Sequence, residues 1–147
     1  MAAVRTATVT WNGDLASGEG SVSAGTSQLF TDLPVTWGSR TEAPEGRTSP
    51  EELLAAAHAS CFAMALSAGL ARGGTPPQHL HVEAEVTFDK VAESWSVTSS
   101  RLIVLGQVDG IAEADFAAAC EAAKDGCPIS RALNENVQIT VDPTLET

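Results

Sequence analysis

The sequence predicts an α+β fold, with an antiparallel sheet and a long buried central helix. Three patterns indicate it: a β-meander in the first 40 residues, an apolar Ala-rich helix near the middle, and alternating strands with a second Ala-rich helix after it. The chain has 147 residues and is 44% hydrophobic, enough for a core without disulfides or metals. Because no linker or repeat interrupts it, we expect a single domain over residues 1–147.

The N-terminal strands are predicted from alternation and turn residues. Residues 4–11 alternate toward Asn12-Gly13, which is typical of a tight hairpin turn. Glycines then punctuate further strands, predicted near residues 21–24, 28–31 and 35–37. A polar loop over residues 39–48 leads to the central helix.

The central helix carries its own start and stop signals. Ser49 and Glu52 form a capping box around Pro50 at the first helical position, and Gly73-Gly74 ends the helix. Between these signals the helix is apolar on nearly every side, so it must be buried all round or cross a membrane. Its high alanine content and the internal His58 favour burial, and we expect no membrane contact.

The second half of the chain continues as strands and helices. Residues 81–89 alternate clearly, and strands at 95–98 and 101–108 follow them. Asp109-Gly110 then turns the chain into the second Ala-rich helix, which ends near Gly126. The remaining elements are predicted at residues 112–123 (that helix), 128–133 (a short helix) and 137–141 (a last strand).

Charge and cysteine content exclude some classes of function. Eight Lys and Arg against 19 Asp and Glu give a net charge of −11, so nucleic acid is not an expected partner. Three scattered cysteines match neither a disulfide framework nor a zinc site, which favours a reducing compartment. The N-terminus has no apolar signal region, so we expect a cytoplasmic protein. Three scattered histidines give no reason to expect a metal.

Two of the thiols suggest redox chemistry. Cys61 lies in the middle of the apolar helix, where burial raises a thiol pKa, so a reactive thiolate there needs a nearby cation. Cys127 precedes Pro128 at the start of the short helix, where free N–H groups favour a thiolate. Cys120 lies among alanines and is expected in the core.

These residues carry a resemblance that extends over nearly the whole chain. The segments Thr-Ser-Pro-Glu-Glu-Leu at 48–53, Ala-Ala-His-Ala-Ser-Cys-Phe-Ala-Met-Ala-Leu-Ser at 56–67 and Lys-Asp-Gly-Cys-Pro-Ile-Ser at 124–130 resemble the OsmC/Ohr family of thiol-dependent hydroperoxide reductases, in its OsmC branch. The resemblance implies an OsmC-like intertwined homodimer whose active sites lie at the interface. It also implies no bound cofactor.

The same resemblance implies a two-cysteine peroxidase. Cys61 would attack an organic hydroperoxide, release an alcohol and become a sulfenic acid. Cys127 would then form a disulfide with Cys61, which a dithiol reductant such as a lipoyl group would reopen. The walls of the substrate cleft are expected to include Phe30, Phe62 and Met64.

The family activates its cysteine with an arginine that is held by a glutamate. Glu51 matches the glutamate, and Arg40, in the segment before the helix, matches the arginine of the OsmC branch; Arg47 remains the alternative. Ten residues separate Glu51 from Cys61 on one helix, a rise of about 15 Å. If both belong to one site, a second chain should supply one of them, and the sequence leaves open which chain supplies Glu51.

Two other classes of function remain open. His58 lies three residues before Cys61 and shares its helical face, which permits a Cys/His hydrolase or transferase with His58 as base. The other class is a non-catalytic member of the same fold that binds an apolar ligand at the dimer interface.

Overall fold

The computed structural model describes residues 1–146, which form two compact units. The first unit is Met1–Leu53, and the second begins at Leu54, inside the long helix. Together the helices and the two three-stranded sheets make an α+β protein, which confirms the predicted fold class. The single domain and the homodimer stay predictions.

The first unit contains a three-stranded antiparallel sheet and a short helix. The strands pair in chain order, with Val9 opposite Val22 and Val22 opposite Leu33. Thr36 caps the short helix, because its hydroxyl accepts the Ser39 N–H at 3.0 Å while the Ser39 hydroxyl accepts the Thr36 N–H at 3.0 Å. The elements are β1 (Ala7–Asn12), β2 (Glu19–Ala24), β3 (Leu33–Val35) and α1 (Trp37–Thr41).

Two of the predicted N-terminal strands are wrong. Residues 28–31 form no strand, because Gln28 (φ 55°) and Asp32 (φ 54°) leave the extended conformation. The strand predicted at 35–37 ends at Val35, since the Thr36 cap starts helix α1 at Trp37. A short apolar run is compatible with a strand or with the end of a helix, and here the Thr36 cap determines that Trp37 is helical.

The predicted tight turn at Asn12-Gly13 is also wrong. Strand β1 ends at Asn12, which pairs with Glu19, so the loop runs over residues 13–18. The Asp14 carboxylate organises this loop by accepting the Ser17 N–H and hydroxyl, each at 2.8 Å. Such a local side-chain bond competes with a two-residue turn.

The central helix α2 (Pro50–Arg72) begins and ends where the sequence predicts. The Ser49 hydroxyl accepts the Glu52 N–H at 3.1 Å, as the capping box predicts. The Glu52 carboxylate differs from that prediction, because it accepts the Thr48 hydroxyl at 2.8 Å in place of the Ser49 N–H. At the other end Gly74 adopts φ +88°, which suits glycine and stops the helix.

One chain buries one face of α2, and burial of the other face by a second chain stays a prediction. Its buried residues in the second unit recur every four positions, on one face: His58, Phe62, Leu66 and Leu70. The other face is exposed, with Met64 at 72%, and 22% of the most apolar 18-residue window is buried. Among the described helices, α2 alone has the length and apolarity to cross a membrane, a test that core helices of soluble proteins also pass.

The second unit packs α2 and two further helices with a three-stranded sheet. Strands β4 (His79–Val91) and β5 (Ser94–Gln107) form an antiparallel hairpin, so the two strands predicted at 95–98 and 101–108 are one. Helices α3 (Glu113–Gly126) and α4 (Pro128–Leu133) follow, and β6 (Gln138–Glu146) closes the sheet.

The last strand corrects the prediction of a wholly antiparallel sheet. β6 pairs with β5 in parallel, with Leu102 opposite Val141. The chain returns to the sheet through α3 and α4, and such a helical crossover brings the new strand back in the same direction. The core of this unit combines β5, α2 and α3 through fully or almost fully buried Leu102, Val104, Phe62, Leu66 and Phe116.

Gly106→Ala should destabilise the protein, because β5 and α3 meet closely at this position. A Cβ atom at Gly106 would lie 2.3 Å from Phe116 Cζ, and the Phe116 ring is 1% exposed. Overpacking of this kind costs about 1–3 kcal/mol. Chemical denaturation measures the loss of stability in Gly106→Ala. Gly126→Ala is the control, because nothing lies within 4 Å of a Cβ at Gly126. Equal midpoints would contradict this packing.

Candidate active site

The second unit brings Cys61 and Cys127 together. Cys61 lies on α2 and is partly exposed, whereas Cys127 lies between α3 and α4 and is fully buried. Cys61 packs against the buried cluster that contains Cys127, and each thiol affects the pKa of the other. Both are free thiols. Two neighbouring thiols can exchange between dithiol and disulfide states.

The break between α3 and α4 positions Cys127. Its backbone is extended (φ −64°, ψ 124°), and Pro128 fills the first position of α4, where its missing N–H costs nothing. The Cys127 thiol makes no capping bond of standard geometry. Even so, the N–H groups of Ile129 and Ser130 and the Ser130 hydroxyl are close enough to stabilise negative charge on the sulfur.

The surroundings of the two thiols shift their pKa values in opposite directions. Burial would raise the pKa of Cys127, but the Ser130 N–H, the Cys61 thiol, the Ser130 hydroxyl and the Ile129 N–H together lower it below its usual value. Burial raises the pKa of Cys61, and Cys127 adds to the rise, although the Ile129 N–H opposes it. Within one chain the negative charge is therefore favoured on Cys127, and a Cys61 thiolate requires a further positive group.

Cys120 lies in the core, as the sequence predicts. It is fully buried in the cluster that contains Phe116 and Cys127. Burial, with a smaller contribution from the Glu121 charge, raises the pKa of the Cys120 thiol to about 12. A thiol with this pKa stays protonated near neutral pH.

In the first unit, Arg40 and Glu51 form an ion pair. Arg40 Nε donates to both carboxylate oxygens of Glu51, at 2.9 and 3.1 Å, and its Nη2 atom donates to Oε1 at 2.8 Å. Glu51 is 7% exposed, and the guanidinium carbon also lies 5.8 Å from the centre of the Trp37 ring. A bidentate pair between a buried carboxylate and an arginine fixes both side chains.

Arg47, the alternative, has a different partner. It lies 3.6 Å from the Glu45 carboxylate, and both side chains are exposed, at 41% and 74%. The structure thus pairs Glu51 with Arg40, the first of the two arginines proposed from the sequence. Exposed pairs such as Arg47–Glu45 contribute little to structure.

An apolar pocket of about 290 Å³ lies in the first unit beside this ion pair. Its lining combines strand, loop and helix residues, and Arg40 supplies a positive charge to it. The apolar members include Trp11, Leu15, Val22, Trp37 and Leu53. The lining of this pocket does not include Phe30, Phe62 or Met64, the residues expected to wall a substrate cleft. Phe62 is fully buried in the core of the second unit, and Met64 is exposed on α2.

His58 is fully buried, and both of its ring nitrogens have partners. Nδ1 lies 2.7 Å from the Ser100 hydroxyl, and Nε2 lies 2.7 Å from the Ser130 hydroxyl. Burial lowers the pKa of His58, so its neutral form is favoured. Because each nitrogen already bonds a serine, the geometry argues against His58 as the base of a Cys/His hydrolase. The sequence held no signal for Ser100, and Ser130 appeared there only as the last residue of the family-like segment 124–130.

Comparisons with known proteins agree with this architecture. A family model described as "OsmC-like protein" matches residues 43–142. Peroxiredoxin OsmC of Escherichia coli is 38% identical over 136 residues, covering 92% of each chain. Organic hydroperoxide resistance protein OhrA of Bacillus subtilis is 31% identical over 127 residues, covering 84% of this chain and 86% of OhrA.

Solved structures show the same fold. The crystal structure of the organic hydroperoxide resistance protein OhrB of Bacillus subtilis superposes with a TM-score of 0.71 at 22% identity, covering 95% of this chain and 98% of OhrB. The OsmC-like protein of Mycoplasma pneumoniae gives a TM-score of 0.73 at 14% identity, with both chains covered completely. The extent of the family match and the identity to Peroxiredoxin OsmC both show that this chain belongs to the OsmC family.

Proposed function

We propose that the protein is a thiol-dependent peroxidase that reduces organic hydroperoxides to alcohols. The observation that carries the proposal is the packing of Cys61 against the cluster that contains Cys127, with each thiol affecting the pKa of the other, in a member of the OsmC family. Relatives named as a peroxiredoxin and as an organic hydroperoxide resistance protein support this activity. They also support a role in antioxidant defence under stress.

In the first step, the Cys61 thiolate attacks the terminal oxygen of the hydroperoxide. An S–O bond forms and the O–O bond breaks, and the leaving alkoxide takes up a proton to become the alcohol. Cys61 is oxidised to a sulfenic acid. In the second step, the Cys127 sulfur attacks the Cys61 sulfur, the S–O bond breaks, and the hydroxyl leaves as water after it gains a proton. A dithiol reductant such as a lipoyl group then reduces the disulfide.

We further propose that a second copy of the chain completes the site. Burial raises the pKa of Cys61, so the first step needs a positive group beside it. The Arg40–Glu51 pair supplies such a group, but Glu51 lies about 15 Å along α2 from Cys61. Two α2 helices that pair through their exposed faces in an intertwined homodimer would bring Arg40 and Glu51 of one chain to Cys61 of the other, and would bury those faces.

The pocket of the first unit supports a substrate with an apolar carbon group. Its lining is rich in apolar side chains, which bind hydrocarbon better than water, while Arg40 can attract the developing negative charge on oxygen. Such a pocket favours organic hydroperoxides over hydrogen peroxide. We propose that the protein acts in the cytoplasm, where a reducing environment keeps its three thiols free.

Thiol titration tests the proposed function. Cumene hydroperoxide should remove two thiols per chain from the wild-type protein, because Cys61 and Cys127 form a disulfide while Cys120 stays protonated in the core. The control Cys120→Ser should also lose two thiols. A hydrolase or a ligand-binding protein loses none, so an unchanged thiol count would contradict the proposal.

Arg40→Ala should make Cys61 less reactive, whereas Arg47→Ala should not. Both changes belong in a chain in which Cys120 and Cys127 are replaced by serine, so that Cys61 is the thiol that reacts. Loss of the Arg40 cation should raise the pKa of Cys61 and slow its alkylation by iodoacetamide near neutral pH by about tenfold.

Arg47→Ala is the matched control, because Arg47 pairs with the exposed Glu45. If Arg47→Ala slows alkylation and Arg40→Ala leaves it unchanged, the cation is Arg47. Equal rates for all three proteins would mean that neither arginine activates Cys61.

A further inference from the structure

A chain of buried polar groups runs from β5 through α2 to Cys127. Its members are Ser100, His58, Ser130 and Cys127, each of them 3% exposed or less. His58 bridges the two serines, with both ring nitrogens 2.7 Å from a hydroxyl oxygen. Ser130 lies in α4, three residues after Cys127. Removal of His58 would take a hydrogen-bond partner from each of these hydroxyls, and a buried polar group left without a partner is costly.

The direction of these hydrogen bonds is limited by the number of protons. A serine hydroxyl has a single proton to donate, while its oxygen can accept. If Ser130 donates to His58 Nε2, no proton is left for the Cys127 sulfur. If His58 Nε2–H donates to Ser130, the Ser130 proton is free to face that sulfur. A neutral imidazole has one N–H, so Nδ1 must then accept from the Ser100 hydroxyl.

We propose that His58 is a positioning residue for Cys127: its Nε2–H donates to the Ser130 hydroxyl and turns the Ser130 proton toward the Cys127 sulfur. Ser100 fixes this tautomer by donating to Nδ1. The hydrogen bond from Ser130 strengthens when Cys127 becomes a thiolate, because charge-assisted bonds are stronger than neutral ones. Cys61 is a titratable group that also acts on Cys127, and it is not one of the hydrogen-bonded groups around His58.

The consequence of this inference for the reaction rests on the proposed function. As the Cys127 thiolate attacks the Cys61 sulfenic sulfur, the S–S bond forms and the S–O bond breaks. The proton that Cys127 gave up leaves with the hydroxyl as water, so atoms and charge balance. A larger thiolate fraction at Cys127 makes this step faster. His58 thus acts on disulfide formation and leaves the attack on the peroxide to Cys61.

The tautomer is tested directly on the intact protein by nitrogen-15 nuclear magnetic resonance of its histidine rings. Reduced wild-type protein is measured at a pH where ultraviolet titration of the Cys61→Ser variant shows Cys127 as thiolate. We expect the His58 proton on Nε2, with Nδ1 unprotonated. A proton on Nδ1 would overturn the proposal, because Ser130 would then have to donate to His58.

The effect on Cys127 is tested in a Cys61→Ser background, where Cys120 stays silent because its pKa is about 12. Ultraviolet titration of the thiolate should show that His58→Leu raises the Cys127 pKa by about one unit. His58→Gln keeps an N–H donor, so the Cys127 pKa in this variant should stay close to its value in the protein that carries His58. His79→Leu is the matched control, because His79 is exposed. It should leave the Cys127 pKa unchanged.

An unchanged Cys127 pKa in a folded His58→Leu variant would show that His58 serves only packing, and would overturn the inference. If His58→Leu does not fold, the tautomer measured on the wild-type protein decides. Because neither measurement uses peroxide, failure of the peroxidase proposal and failure of this inference give different results.

Discussion

Cys61→Ser should abolish hydroperoxide reduction, with less than about a tenth of the wild-type turnover left. A serine hydroxyl stays protonated near neutral pH and is a far poorer nucleophile than a thiolate, so no sulfenic acid can form. Turnover of cumene hydroperoxide with a dithiol reductant measures the loss. The partly exposed position of Cys61 on α2 makes it the accessible thiol of the pair.

Cys120→Ser is the matched control for this variant. Cys120 is fully buried, and its pKa of about 12 keeps it protonated, so the variant should retain full activity. Turnover above about a tenth in Cys61→Ser would contradict the role of Cys61. A large loss in a folded Cys120→Ser would instead contradict the division of roles among the three thiols.

Cys127→Ser should react once with peroxide and then stop. Cys61 remains intact in this variant and should consume about one equivalent of hydroperoxide, but the resolving thiol is absent. The sulfenic acid should therefore accumulate, and dimedone should trap it on Cys61, as mass spectrometry of the labelled peptide would show. Continued turnover would mean that another thiol resolves the sulfenic acid.

Wild-type protein should form an intrachain disulfide, because Cys61 and Cys127 of one chain already interact. The bond closes a loop of about 66 residues, which keeps the denatured chain compact and speeds its migration in non-reducing electrophoresis. A disulfide-linked dimer would mean that Cys127 resolves the Cys61 of another chain. Finding neither disulfide nor trapped sulfenic acid would remove the peroxidase proposal.

Local signals allowed the helices near the site to be predicted closely. Pro50 with its serine cap and Gly73-Gly74 define α2, and Pro128 defines the start of α4. These signals act through backbone geometry and hydrogen bonds between residues a few positions apart, so the sequence carries them in full. No strand forms at residues 28–31, because Gln28 takes a positive φ, and the strand predicted at 35–37 ends at Val35, because the Thr36 cap starts α1. The alternation of apolar residues shows neither feature.

The sequence by itself determined the secondary structure around the site, the family resemblance, and Cys61, Cys127, Arg40 and Glu51 as its candidate residues. Only the tertiary structure decided that the two thiols interact, that Glu51 pairs with Arg40 rather than Arg47, and that β6 runs parallel to β5.

The tertiary structure also decided the surroundings of His58. It joins serines that lie 42 and 72 residues away along the chain. No periodicity or motif encodes such a contact, because it depends on how a sheet and two helices pack against each other. The free energy that selects this packing is distributed over the whole core, and therefore no short stretch of sequence reveals it.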